Sequence, residues 1–427
     1  MPDSMQMTLR SDRSLLRATA RSTRYLAVSL TAPLAAPRDG RLPIHVGIVL
    51  DRSGSMDGEQ KFTLATQAVE QALRMLRPQD RFTLVVYDTA VDVIMPSTMA
   101  TAGAKRTALQ RLTDVHPRGG TDLFAGWMTA ASQMTPYFTN ECVNRMLLLT
   151  DGLANAGITE PSALKTAAGD LRARGIATTT FGVGEDFDER LLRDMAHEGG
   201  GKSYFIRTPA QIADLLTSEL GEALEVVRRG AVLQLALPPG ARGELLNTYR
   251  TTHAAGDNEL RIELGDLTSG EELSLVVRLT FPEDREGAVT SARAVLADGD
   301  RVLPECEQSF AWTYGNHEAN DAQPRDVVVD REVAALYAGR ARAEATEANR
   351  QGDLPGARRV LEATARRIRE YARGDAVLEA LWRELFDEAE RFSRRKLSAM
   401  EQKSAFFLAE AQLHNRDFEG KARRQRR

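Results

Sequence analysis

The sequence predicts an α/β fold, a doubly wound and mostly parallel sheet, accompanied by an antiparallel β-sandwich and a helical C-terminal region. Three observations predict it. From about Arg41 to Leu220, short β-rich runs alternate with amphipathic segments, as in a sheet covered by helices on both faces. From 228 to 315, apolar and polar residues alternate between turn signals such as PPG, TSG and DGD, as antiparallel strands with one buried face require. From Val327 onward, alanine, leucine, arginine and glutamate recur with helical spacing.

Each element has its own justification. Ile44 to Leu50 is an apolar run, interrupted only by His45, and is predicted as a buried strand. Lys61 to Leu76 is predicted as a helix with Leu64, Ala68, Gln71, Ala72 and Met75 inward, stopped by Pro78. Arg81 to Tyr87 is the second strand, and Asp92 to Met95 a short edge strand before Pro96. Helices follow over Ala104 to Leu112 and Leu123 to Met134, then a central strand over Asn144 to Thr150. Pro161 opens a helix that Gly175 closes after Arg174. Strands over Ile176 to Val183 and Ser203 to Ile206 bracket a helix from Glu189 to His197, and Ala210 to Leu224 is the closing helix.

The predicted order along the chain is a flexible segment over 1–24, a strand over 25–41, the α/β domain over 42–224, the sandwich over 228–315, a polar linker over 316–326 and helices over 327–427. The strand from Tyr25 to Thr31 has no partner in the α/β pattern and is assigned to the sandwich, which makes the α/β domain an insertion. QGDLPG at 351–356 breaks the helical region into a hairpin. Leu361, Ile368, Tyr371, Leu381, Leu385 and Phe386 fit either helices packed together or a surface for a partner.

Composition bounds the function. A chain of 427 residues with 42% hydrophobic and 27% charged residues is that of a soluble globular protein. A formal net charge of −4 gives no whole-molecule argument for nucleic acid or membrane. Two distant cysteines, Cys142 and Cys306, argue against a disulfide scaffold and for a reducing, cytoplasmic compartment. The six histidines never fall at zinc-ligand spacing. Arg10, Arg13, Arg17, Arg21 and Arg24 before YLAVSLTAPLAAP imitate a secretory leader, but the basic region is long, Pro33 interrupts the apolar run, and RYLAVSLT alternates like a strand; secretion or export stays the minority reading. No apolar run approaches the length of a membrane span.

The chemistry concentrates in three short motifs. DRSGSM follows the first strand and offers Asp51, Ser53 and Ser55 at alternate positions, so that one carboxylate and two hydroxyls converge on a small cation. GGTD offers Thr121, and RMLLLTDG ends with Asp151. Right-handed crossovers put the loops after the parallel strands on one edge, where open α/β sheets collect ligands. These five residues resemble the metal-ion-dependent adhesion site of von Willebrand factor A (VWA) domains, whose sheet is Rossmann-like. The contexts IVLDRSGSM, GGTDL, LLLTDG and FGVGEDFDERLL are similar to bacterial members of the group that includes the inter-alpha-trypsin inhibitor heavy chains and calcium-activated chloride-channel relatives. The resemblance implies a non-enzymatic, metal-dependent protein-interaction module. Magnesium, or manganese or calcium, would sit among Asp51, Ser53, Ser55, Thr121 and Asp151, and an Asp or Glu of a protein partner would complete its coordination.

Two other classes remain on the page. A metal-assisted phosphohydrolase could use the same cluster, although Arg52 and Arg118 are the only cations the sequence places near it. A nucleic-acid-associated scaffold could use KARRQRR (Lys421 to Arg427), though a terminal charge run is ordinarily a frayed, solvated end. No catalytic residue set is assigned. Asp57 is read as solvated and Asp122 as the cap of the helix at Leu123. Gly182 and Gly184 are read as a tight turn, not a phosphate loop, and Trp127, Phe124 and Trp312 as core anchors.

Overall fold

The structure is a computed structural model describing residues 4–34, 41–139, 141–253, 258–298, 301–417 and 420–424. The chain forms two compact units. One joins residues 1–35 to 227–427, and the other is continuous over 36–226.

The first unit opens with β1 (Gln6–Ser11), β2 (Leu15–Arg17) and β3 (Ser22–Thr31). The segment expected to be flexible up to residue 24 is therefore structured from Gln6 onward. β1 pairs antiparallel with β3, Gln6 opposite Thr31 and Ser11 opposite Leu26. Three of the five arginines that imitate a leader make folded contacts: Arg10 pairs with Asp326, Arg17 with Asp321, and buried Arg24 donates through Nε to the Leu15 carbonyl at 2.8 Å. Residues 35–40, at the end of the 25–41 segment, lie outside the described residues.

The continuous unit runs β4 (Ile44–Asp51), α1 (Lys61–Met75), β5 (Arg81–Tyr87), β6 (Val91–Met99), α2 (Ala102–Thr113), α3 (Leu123–Met134), β7 (Val143–Thr150), α4 (Pro161–Ala173), β8 (Ala177–Val183), α5 (Glu189–Glu198), β9 (Gly200–Ile206) and α6 (Ile212–Leu224). The sheet order is β6-β5-β4-β7-β8-β9, parallel except for β6. Every residue of β4 and β7 is buried, as expected of strands covered on both faces. β6 runs through Pro96 rather than stopping before it. An edge strand can do so because its outer side pairs with no further strand, and the register slips beside the proline. Helix α1 is turned slightly from the predicted stripe: Phe62, Ala65, Ala68, Val69, Ala72 and Leu73 are buried, and Gln71 is exposed. The bulkier Phe62, Val69 and Leu73 win the core over Gln71.

After the insertion the sandwich continues with β10 (Val226–Ala236), β11 (Arg242–Leu245), β12 (Arg250–His253), β13 (Glu259–Thr268), β14 (Glu272–Phe281), β15 (Val289–Asp298) and β16 (Arg301–Gly315). One sheet has the order β1-β3-β14-β11, the other β12-β13-β10-β15-β16-β2. β3 lies along β14 from Thr31 opposite Glu272 to Ser22 opposite Phe281, so the N-terminal strand is a member of the sandwich. Trp312 is buried between the sheets with its indole N–H on Ser11 Oγ at 3.0 Å.

The linker expected over 316–326 contains α7 (His317–Ala322), capped by Asn316. Then come α8 (Val327–Arg350), α9 (Leu354–Ala372), α10 (Ala376–Arg394) and α11 (Ala399–Leu413), four helices where a hairpin was expected. The extra breaks carry local signals: Arg373 and Gly374 adopt positive φ, and Ser398 with Glu401 forms a capping box. Leu361, Ile368 and Leu385 are buried among these helices, with Tyr371, Leu381 and Phe386 packed against them, so the apolar stripes face one another. Val329, Val333 and Leu336 of α8 pack on Ala27 and Val276 of the four-stranded sheet. The basic tail is not frayed where described: Glu272 N–H donates to the Arg423 carbonyl at 2.9 Å and Arg424 bridges Glu271. Its last three residues lie outside the described ones. Among the described residues no helix is long and apolar enough to cross a membrane.

Candidate metal centre

The chain winds from β4 outward to β5 on one side and through β7, β8 and β9 on the other, so the strand order reverses between β4 and β7. That is where the carboxyl ends of neighbouring parallel strands part and leave a crevice. Asp51 is the last residue of β4, and Asp151 directly follows the last residue of β7. Both are fully buried.

The predicted side chains meet there. Asp51 Oδ1 accepts from the Ser53 backbone N–H at 2.7 Å, and Oδ2 from the Thr150 hydroxyl at 2.6 Å. Ser53 Oγ lies 3.1 Å from Ser55 Oγ, which donates to Asp151 Oδ1 at 2.6 Å. Thr121 is held by its backbone: its N–H donates to Asn155 Oδ1 at 2.8 Å, and its carbonyl accepts from Asn155 N–H at 3.1 Å. Gly152 marks how close the loops come. A Cβ there would lie 3.6 Å from Ser55 Oγ and 3.7 Å from Thr121 Oγ1, so both hydroxyls border the same glycine.

Several partners escaped sequence reasoning. The cation nearest the site is Lys61, the first residue of α1, whose Nζ sits 2.7 Å from Asp151 Oδ2. Arg52 and Arg118, which the sequence offered instead, are tied to Asp88 at 2.9 and 2.8 Å, and Arg52 also pairs with Asp92 at 2.6 Å. Asn155 belongs to no recognisable motif, and Thr150, although it stands inside LLLTDG directly before Asp151, shows its part only in its hydrogen bond to Asp51. Tyr87, fully buried at the end of β5, is pushed far above its ordinary pKa by burial, then by the nearby Asp51 carboxylate. Asp57 is exposed, and Asp122 caps α3 by accepting from Ala125 N–H at 2.9 Å. Gly184 adopts φ +75°, and a Cβ on Gly182 would fall 2.3 Å from the Phe187 ring, so turn geometry and packing account for that glycine pair.

Burial raises the Asp51 pKa to about 6, and the Thr150 and Ser53 hydrogen bonds counter only part of that. Neutral donors hold both its oxygens, so a carboxylate sealed from water lacks a full compensating charge. This donor set fits a hard divalent cation. Two carboxylates and three hydroxyls are oxygen ligands of the kind magnesium, manganese and calcium take, and the hydroxyls would leave such an ion much of its positive charge.

The similarity to known proteins follows the same boundaries. Residues 45–218 match the family model described as von Willebrand factor type A domain. The chain contains a von Willebrand factor type A domain. An uncharacterized protein of Escherichia coli, YfbK, is 28% identical over 277 residues, covering 62% of this chain and 47% of its own length. The chain thus spans about half of that relative. Human inter-alpha-trypsin inhibitor heavy chain H4 is 28% identical over 166 residues, 38% of this chain and 18% of its own. A solved von Willebrand factor type A protein from Catenulispora acidiphila superimposes with a TM-score of 0.70, covering 89% of each chain at 18% identity. That likeness establishes the fold well beyond the VWA domain itself. VWA domains are in general protein-interaction modules, and this one has bacterial homologues.

Proposed function

We propose that this chain is a non-enzymatic, metal-dependent protein-binding module whose VWA domain holds a divalent cation among Asp51, Ser53, Ser55, Thr121 and Asp151. Magnesium is the metal we favour, and an Asp or Glu of a protein partner would be its guest. The observation that carries this reading is the convergence of two buried aspartates and three hydroxyls at the strand-order reversal. The ion would supply a positive centre with a position open to an outside carboxylate. The chain's own residues do the rest: Asp51 and Asp151 balance the charge, the hydroxyls bind without neutralising it, and Asn155 fixes Thr121.

Calorimetric and thermal-shift titration with magnesium tests the reading on wild type and Asp51→Ala. Magnesium at ten times its dissociation constant is expected to add about 1.4 kcal/mol to wild type and nothing to the variant. Equal responses in the two proteins would remove the metal from the account. We also place the chain in the cytoplasm, supported by Cys142 and Cys306 each being buried in a different unit. Cell fractionation that recovers it outside that compartment would overturn the placement.

A further inference from the structure

Lys61 stands where helix stability alone would not put a cation. It is the first residue of α1, and the N-terminal end of a helix disfavours positive charge. The two residues before it, Glu59 and Gln60, both adopt left-handed backbone, φ 53° and 58°, which side-chain-bearing residues take only when the surroundings enforce it. This turn delivers the lysine to the crevice. Its side chain is 13% exposed, and its ammonium rests on Asp151 Oδ2 at 2.7 Å while Ser55 holds Oδ1 at 2.6 Å. It also flanks the turn after β8, for a Cβ on Gly184 would lie 3.8 Å from Nζ.

We infer that Lys61 is a tethered monovalent cation of the metal centre, which loosens the hold on the divalent ion and biases the loaded site toward an anionic guest. The inference rests on the metal-binding reading above. Charge arithmetic carries it. Two ionised aspartates and one ammonium leave the site at −1, so a divalent ion brings it to +1 and one carboxylate then neutralises it. Without the lysine the loaded site would be formally neutral, and its open coordination position would attract an acidic guest less strongly. The same ammonium repels the incoming metal, because like charges in a water-poor crevice interact strongly. Lys61 is therefore a specificity-determining residue, exchanging metal affinity for selection of an acid.

The test uses the full chain, with manganese followed by electron paramagnetic resonance as the metal probe and acetate as the carboxylate probe. Wild type, Lys61→Met, Lys61→Gln, Lys61→Arg and Asp51→Ala are compared, with thermal melts checking folding. Lys61→Met and Lys61→Gln are expected to bind manganese about tenfold more tightly, and their loaded forms to bind acetate about threefold more weakly. Lys61→Arg, which keeps the charge, is expected within about twofold of wild type in both. Unchanged manganese affinity in the two neutral variants, or both affinities falling together as for a merely structural ion pair, would overturn the inference. If wild type binds no more manganese than Asp51→Ala, the metal centre itself fails and the role of Lys61 falls with it.

Discussion

Replacing Asp51 with asparagine is expected to stabilise the metal-free domain while abolishing its response to metal. The side chain is fully buried, and burial lifts its pKa from 3.8 to about 6. A carboxyl whose folded pKa is raised binds its proton more tightly in the folded state, so stability falls as pH rises between about 4 and about 6 and stays low above that. A shift of about two units costs about 3 kcal/mol at pH 7 in a chelator, at 1.36 kcal/mol per unit. Asparagine removes that cost and keeps the shape. It loses one acceptor, but the Thr150 hydroxyl can turn to accept, so the loss is about 1 kcal/mol and the net gain about 2 kcal/mol. Near pH 4.5, where the folded wild type is protonated, the gain should shrink almost to nothing. Urea denaturation in chelator reads this best with Trp312 and Trp382 changed to phenylalanine, so that Trp127, buried in α3, reports on the VWA domain alone. Adding magnesium should then stabilise only the aspartate form. An asparagine variant less stable than wild type at pH 7, by an amount independent of pH, would refute the idea that Asp51 is a destabilising charge held for a cation.

Three further outcomes follow from the same geometry. His45, buried at the start of β4 with Nε2 2.9 Å from Ser97 Oγ, has its pKa lowered to about 4 by burial and, secondarily, by Arg81. The unfolded state binds more protons between pH 4 and 6.5, so His45 should contribute a loss of about 3 kcal/mol on acidification from pH 7 to 4, opposite in sign to the Asp51 contribution over the same range, and a His45→Gln variant with the wild-type slope would contradict the assignment. Asn155→Ala removes the acceptor for Thr121 N–H; it should cost about 1 kcal/mol in denaturation and weaken metal binding about tenfold, and unchanged calorimetric affinity would show that Thr121 needs no such anchor. Gly126→Ala would place a Cβ 2.5 Å from the Tyr87 ring, beneath the site, and should destabilise the domain by about 1–3 kcal/mol; a loss under about 0.5 kcal/mol would mean that the ring moves aside freely.

What the sequence disclosed and what it hid divide along one physical line. Ile44–Asp51 and Val143–Thr150 announce themselves because a strand buried on both faces is dominated by apolar residues, as Val46 to Leu50 and Met146 to Leu149 are, and the polar residues at its end must then be there for another reason. Lys61 gave no such sign. It begins a helix among other polar residues, and only the left-handed turn at Glu59 and Gln60 turns it toward Asp151. β2 was hidden because its partner is remote: it pairs parallel with β16, Leu15 beside Thr313, and no local pattern signals a pairing across 297 intervening positions. The helix break at Ser398 is legible through its capping box with Glu401, whereas α7 is too short for its periodicity to stand out from a linker.

The loops that carry the five side chains are fastened to one another by main-chain bonds that need no metal. Gly54 N–H donates to the Gly119 carbonyl at 3.1 Å, Arg118 N–H to that of Arg52 at 2.7 Å, and Asp122 N–H to that of Asp88 at 2.8 Å. The Arg52 and Arg118 guanidiniums add ion pairs to Asp88 beneath the same loops. Ordering a loop costs about 1–2 kcal/mol per residue fixed, and here folding has already met most of that cost. Metal binding in such a site therefore depends on donor chemistry rather than on closing a flexible cage, and the donor chemistry is deliberately poor: three neutral hydroxyls, one aspartate shared with Thr150 and Ser53, and another shared with Lys61. Under the proposed metal-binding reading, a rigid site that neutralised its cation incompletely would hold the ion less firmly than it could, and would retain on it the positive charge that an outside carboxylate needs.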